Sequence, residues 1–404
     1  MLLINENLNK WTTGILKANV INRPVGLLDQ LLDNPKPITI VNGISNTGLN
    51  QLCAQLICVA KEDKTVALFN CVSEEINQQQ FHFAELIRYL QQNNNAIIFI
   101  NEVQNLLSTK VLLRQIKQLA KKYQANFFLF FNQIGLLYSK FFERHDCANY
   151  YVEPINFYEW LASDVKKTSN ETTFSNYLNT NGSLAVLPKT PNFLAERLAS
   201  MVEQVMRHDV YELHLKKYSV HTCLRLLRLM AYASMPVFNL VDLAEHLELD
   251  ILDLHQIIRI LSTAKIIRSF PVYSKDLKRV STNQLYLVFY DPINYGAFEG
   301  VDLGGETIQQ TLKLWISALG MIYRPFGKLV VLKDDYVPYN EQVSLFDLEK
   351  QSLLQLGLGN DSIGPMLVYL QNKDIKKTYY INFQRFLNLL VNWSQKTSIV
   401  TKLH

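Results

Sequence analysis

Residues 39–52 read Thr-Ile-Val-Asn-Gly-Ile-Ser-Asn-Thr-Gly-Leu-Asn-Gln-Leu, and Gly43 and Gly48 keep the spacing of the phosphate-binding loop G-x-x-x-x-G-K-[ST]. In that loop backbone N–H groups cradle phosphates, the Lys neutralises the β- and γ-phosphates, and the hydroxyl holds Mg²⁺. Here Leu49 and Asn50 stand where Lys and Ser/Thr belong. Leu brings neither charge nor donor. Charge-assisted hydrogen bonds are worth roughly 1.5–3 kcal/mol each, so the loop lacks several kcal/mol of phosphate stabilisation. Backbone N–H groups at the start of the following helix leave weak ATP or ADP binding as the residual alternative.

A second landmark is Ile97–Gln104, Ile-Ile-Phe-Ile-Asn-Glu-Val-Gln. Four apolar residues followed by Asp-Glu form a Walker B strand, whose Asp orders Mg²⁺ and whose Glu activates water. Asn101 replaces the Asp and Glu102 remains. An amide keeps the carboxylate's shape but is a poor ligand for a hard cation. After the apolar run Phe127–Phe131, Asn132 and Gln133 occupy a position from which a polar side chain could reach the γ-phosphate, and Arg144 is a candidate phosphate-facing cation or a solvated surface residue.

These residues require a scaffold of short buried strands. Ile38–Val41, Thr65–Asn70, Ala96–Ile100 and Phe127–Phe131 are continuous apolar runs, the signature of parallel strands buried on both faces. Helical patterns at 49–60, around Phe83–Gln92 and over Lys110–Gln124 separate them, which predicts βαβ units and an α/β sheet. Residues 164–190 are polar and read as a loop or lid.

Beyond that the pattern turns helical, with candidate helices at Asn192–Arg207, Ser219–Ala233, Leu240–His246 and Leu252–Ser262. Strands at Ile266–Val272 and Leu285–Tyr290 follow, joined through the basic stretch Ser274–Arg279. Three helices and a hairpin predict a winged helix-turn-helix. Lys216–Tyr290 holds ten basic and six acidic residues, a net +4. Arg259, Lys275, Lys278 and Arg279 are the candidate DNA contacts. Asp250 and Asp253, at the start of the would-be recognition helix, would repel phosphates. The remaining stretch is mixed, with a helix around Ile308–Leu319, strands around Gly327–Leu332 and Met366–Leu370, and a helix at Asn382–Trp393.

The 404 residues imply two or three domains, here 1–190, 191–300 and 301–404. A net charge of +4 does not demand a nucleic-acid partner. Five cysteines without C-x-x-C spacing fit a reducing compartment. No signal peptide and no run of 18 or more apolar residues is read, so a cytoplasmic location without a membrane span is expected. His208, His214 and His221 lack the i, i+4 pairing of a helical metal site, and no metal is expected.

In order and spacing the chain resembles the prokaryotic AAA-type ATPases that carry a C-terminal winged helix and a nuclease-like domain. The residues that carry this are the Gly43–Gly48 loop, Glu102 and Gln104 of the Ile-Phe-Ile-Asn-Glu-Val-Gln segment, Pro154, Phe157 and Glu159, and the strand and Asp-Pro turn at Leu285–Pro292. It spans roughly residues 20–300. The resemblance implies a P-loop AAA-like parallel-sheet domain, then a winged helix and a small α+β domain. It also implies a nuclease-like Asp and Glu-x-Lys in the tail. Asp334, Asp335 and Lys373 are there, but Gln371 and Asn372 precede the Lys, so no Glu-x-Lys stands at that place. The departures gather where hydrolysis would occur. The expected function is therefore a non-hydrolysing scaffold or adaptor with a protein partner and no cofactor. A weak or partner-completed ATPase using Glu102, a DNA-binding protein using the wing, and oligomerisation remain open.

Overall fold

The computed structural model describes residues 2–17, 28, 31–32, 36–43, 48–71, 83–105, 109–132, 147–153, 157–162, 171–180, 191–212, 219–233, 236–274, 276–298, 312–318, 329–333, 342–349, 351–357, 377–382, 384–388 and 400–403. The chain divides into two units. One is Met1–Ile155 with Ser183–Leu187 and Ser398–His404; the other is Asn156–Gly182 with Pro188–Thr397. Among the described residues no helix is long and apolar enough to cross a membrane.

The first unit is built on β1 (Leu2–Leu3), β2 (Ile38–Gly43), β3 (Val66–Asn70), β4 (Ile97–Asn101), β5 (Asn126–Asn132) and β6 (Ala148–Val152). Its helices are α1 (Asn5–Lys17), α2 (Leu49–Ala60), α3 (Phe83–Gln92) and α4 (Thr109–Tyr123). The strands from β2 to β6 form a parallel sheet in the order β3-β4-β5-β2-β6. β1 closes one edge antiparallel to β3, and a late strand, Val400–Leu403, closes the other antiparallel to β6.

Alternate side chains along the buried strands serve two cores. Phe127, Leu129 and Phe131 pack with Leu86 and Leu90 of α3 and with Leu113, Ile116 and Ala120 of α4. Phe128 and Phe130 pack with Leu8 of α1 and with Leu49, Leu52, Leu56 and Ile57 of α2. The result is a three-layer α/β/α unit, in which two-sided burial explains the unbroken apolar runs.

The second unit contains α5 (Phe157–Ala162), α6 (Glu171–Thr180), α7 (Pro191–Glu212), α8 (Val220–Tyr232), α9 (Leu240–His246) and α10 (Ile251–Thr263). Its sheet has strands β7 (Val237–Asn239), β8 (Ile267–Ser274), β9 (Gln284–Phe289), β10 (Leu329–Lys333), β11 (Gln342–Asp347), β12 (Ser352–Gly357) and β13 (Lys377–Ile381). They lie in the order β13-β12-β11-β10-β8-β9-β7. β8 pairs antiparallel with β9 over Ile267–Pro271 and parallel with β10 over Val272–Ser274. Strands on either side of position 300 thus share one sheet.

The loop expected at 164–190 is corrected in part, because α6 is a helix within it. Phe174, Tyr177 and Leu178 recur at helical spacing and are buried, with Phe174 and Tyr177 edge-on to Phe157 of α5. Three apolar residues among polar ones were enough to hold a helix that composition concealed. The strand expected at Met366–Leu370 lies outside the described residues, as do Asp334, Asp335 and Lys373.

Three buried ionisable side chains, Arg197, Asp291 and Lys313, tie this unit together. Arg197 of α7 lies 3.6 Å from Asp291, whose carboxylate accepts from the Ile293 N–H and so caps the 3₁₀ turn Pro292–Ala297. Burial pushes the Asp291 carboxyl up, and Arg197 opposes that shift. Lys313, on a helix over residues 312–318, is 2% exposed. Its ammonium donates to the carbonyls of Ala231 and Ala233 at 3.0 and 2.9 Å and lies 5.3 Å from the Tyr295 ring centroid. It caps the C-terminus of α8, where carbonyls lack helical partners and the dipole favours a cation.

Burial lowers the Lys313 pKa from 10.5 to about 8. Between those values the unfolded chain binds more protons than the folded one, so this contribution makes stability rise with pH from about 8 to 10.5 and level off on either side. Subtracting the unfolding free energies of a Lys313→Met variant from those of the wild type across this range should isolate a rise on the order of 3 kcal/mol. A flat difference would show that the lysine does not titrate in that window.

Candidate nucleotide-binding site

In an open α/β sheet, ligands bind beyond the carboxyl ends of the strands, where connections leave to opposite sides. Here that point is the end of β2, whose neighbours are β5 on one side and β6 on the other. The chain leaves β2 through α2 to the distant β3, returns strand by strand to β5, and then crosses to β6. Gly43 ends β2, paired with Asn132 of β5 and Val152 of β6. Gly48 opens α2 with φ 79°, a left-handed conformation that glycine adopts without a Cβ penalty, and its carbonyl accepts from the Leu52 N–H at 2.8 Å. The two glycines therefore stand at the end of one element and the start of the next. Residues 44–47 between them, like Arg144, lie outside the described residues.

Among the described residues no side chain caps the N-terminus of α2. Its first residue, Leu49, is 3% exposed and belongs to the core formed by Val41, Leu52, Phe99 and Phe128. The residue in the lysine's place is thus part of the helix–sheet contact. Asn50 is partly buried, and its side-chain oxygen has no hydrogen-bond partner among the described residues.

Asn101 ends β4 at 2% exposure and donates from Nδ2 to Oδ1 of Asn70, its cross-strand neighbour on β3, at 3.1 Å. Its carbonyl accepts from the Cys71 N–H. Glu102 follows with φ 56°, a left-handed conformation uncommon outside glycine, and turns the chain into the short 3₁₀ segment Val103–Asn105. The neighbouring Cys71 thiol is pushed up to about 12, chiefly by burial, with Glu102 adding to the shift. A second amide pair joins β2 to β6: Asn42 donates to Oδ1 of Asn149 at 2.8 Å and to the Tyr150 carbonyl at 3.0 Å.

The carboxyl ends of the parallel strands thus carry Asn42-Gly43, Asn70, Asn101-Glu102, Asn132 and Val152-Glu153, four amides and two acids with no cation. A Mg²⁺–triphosphate requires a cation for its phosphates and a carboxylate for its metal. The residues described here do not fit it: one key position is apolar core and the other is an amide committed to a second amide. Asn42, Asn70 and Asn149 are the members of this site that sequence reasoning missed. The signal for Asn42 and Asn70 was visible, because the runs Ile-Thr-Ile-Val, Val-Ala-Leu-Phe, Ile-Ile-Phe-Ile and Phe-Leu-Phe-Phe are each followed by Asn; Asn149 follows no such run.

The candidate DNA contacts belong to the other unit. Arg259 is exposed on α10, and Lys278 and Arg279 are exposed in a tight turn after β8, where Leu277 has φ 58° and the Ser274 N–H donates to the Lys278 carbonyl. Lys275 lies outside the described residues. Asp250 caps α10, accepting from the Leu252 N–H at 2.8 Å, which gives that acid a structural role.

No protein-family model and no curated protein sequence matches the chain. Solved structures similar to it are P-loop ATPases of AAA type at low identity. A Walker-type ATPase of Pyrococcus abyssi is 13% identical at a TM-score of 0.39, over 67% of this chain and 93% of that one. PCH-2 of C. elegans is 14% identical at 0.33, over 50% and 68%. The RuvB Holliday junction branch migration motor of Thermotoga maritima is 13% identical at 0.28, over 66% and 90%.

Because Leu49 is core, a cation there should cost stability. Leu49→Lys is expected to lower the unfolding free energy by about 3 kcal/mol in denaturant titration, whereas Leu49→Met should cost less than about 1.5 kcal/mol. A Lys variant as stable as the wild type would mean that the position faces the loop and not the sheet.

Proposed function

We propose that the chain is a non-hydrolysing, AAA-like scaffold or adaptor that acts through protein contacts and holds no tightly bound nucleotide. The observation that carries this reading is the burial of Leu49 among Val41, Leu52 and Phe99, in the place where the phosphate lysine would stand. The Asn101–Asn70 pair supports it, since a neutral amide already hydrogen-bonded to its neighbour is a weak magnesium ligand. A partner-completed ATPase is less well supported. A neighbouring subunit can insert an arginine beside a phosphate, but it cannot replace a side chain that lies within the helix–sheet core.

The second unit supports the protein-binding side of the proposal. Its helix order α8, α9, α10 followed by the β8–β9 hairpin is read as a winged helix. Its would-be recognition helix begins with Asp250, exposed Leu252 at 71%, and Asp253. An exposed leucine between two carboxylates suits a protein surface better than a phosphate backbone. DNA contact through Lys278 and Arg279 is the second reading, favoured by their exposure on one turn.

Phosphate release from Mg²⁺–ATP should stay at background for the full chain and should be unchanged by Glu102→Gln. Turnover abolished by Glu102→Gln would sink the proposal. For the second reading, duplex DNA binding that falls steeply with salt and drops on replacing Lys278 and Arg279 by Ala would support the wing as a contact. Absence of binding at low salt would remove it.

A further inference from the structure

His221, Arg225, Arg228 and Tyr232 recur along α8 at i, i+4, i+7 and i+11, which places them on one side of the helix. Together with α7 and the end of the Pro292–Ala297 turn, that side walls a cavity of about 700 Å³, in the range of ligand sites. Among the described residues its lining holds two guanidinium groups and an imidazole but no carboxylate.

The two arginines are presented differently. Arg225 donates from Nη2 to the His246 carbonyl at 3.1 Å, a contact at the end of α9 that fixes the guanidinium and leaves its other donors for a ligand. Arg228 is exposed. Tyr232 is 50% exposed, with its ring edge-on to Phe298 at 6.3 Å, and the aliphatic side chains of Leu198 and Leu224 complete the lining. The helix needs none of these cations for its own ends, since Ser219 caps its N-terminus and Lys313 its C-terminus.

We propose that this cavity is the docking groove for an acidic protein segment, with carboxylates held by Arg225 and Arg228 and an apolar side chain seated beside Tyr232. This rests on the adaptor reading and gives its partner a chemistry. Guanidinium forks match carboxylates in two-point contacts, and a rim of one charge sign selects partners of the other. A single-stranded nucleic acid fits the groove less well. It would need successive rings presented for stacking, whereas the two six-membered rings of the described lining, Tyr232 and Phe298, are turned edge-on to each other.

The test is fluorescence anisotropy on the full chain with a fluorescein-labelled peptide of alternating glutamate and leucine ending in phenylalanine. A lysine-for-glutamate version and a labelled oligothymidylate complete the probe set. The acidic peptide should bind, more weakly as salt is raised. Arg228→Glu should weaken it by about tenfold or more and should gain binding of the lysine version. Tyr232→Ala should weaken it without reversing the charge preference. Both side chains are on the surface, and an unchanged circular-dichroism melting curve confirms that each variant is folded. Equal affinity of wild type and Arg228→Glu for the acidic peptide, no binding at low salt, or preference for the oligothymidylate would each overturn the proposal. Nucleotide turnover by the same preparation would instead sink the adaptor reading, so the two failures are separable.

Discussion

The placement of α2 against the parallel sheet is the constraint from which the rest of the first unit follows. A helix that opens directly beyond β2, at the point where the sheet's connections diverge, presents its N-terminal N–H groups where a phosphate would sit. A phosphate loop sets that favourable end against a lysine that must stay out of the core to reach its ligand. Here the first helical residue, Leu49, is drawn into the contact with Val41 and Phe99. Burying a leucine contributes about 1.5–3 kcal/mol, so the helix start is held by apolar packing with no need of an anion.

The strand ends follow the same logic. Charged groups there would need a ligand or an ion to offset their desolvation. Amides can satisfy each other, and two pairs are closed in this way, Asn42 near the end of β2 with Asn149 near the start of β6, and Asn70 with Asn101 at the ends of β3 and β4. Two amide pairs at this edge of the sheet are thus satisfied within the protein. Glu102 follows as a partly exposed acid in a left-handed conformation just past β4.

Much of this architecture was readable from the chain alone. The apolar runs gave β2 to β5 to within two residues, because two-sided burial forces continuous apolar sequence. The spacing Gly43 to Gly48 placed the β2–α2 junction. What stayed hidden was set by tertiary pairing. β6 reads Ala-Asn-Tyr-Tyr-Val, polar in part because Asn149 is satisfied across the sheet by Asn42. The parallel partnership of β8 with β10 joins residues far apart in sequence, and no local pattern encodes it. Nothing in the local sequence marks Lys313 as buried; its partners are the carbonyls at the end of α8. The Asn-rich composition concealed a positional signal, since asparagine at the end of four strands is a register property and not a compositional one.

The central claim is that this edge has exchanged phosphate chemistry for internal packing and amide pairing. Isothermal titration calorimetry of the full chain with ATP, in the presence and absence of Mg²⁺, addresses it most directly. The expected result is no saturable, Mg²⁺-dependent heat at submillimolar nucleotide, on the order of the affinity range where working sites operate. A Mg²⁺-dependent isotherm in the micromolar range that disappears on Asn101→Ala would contradict it.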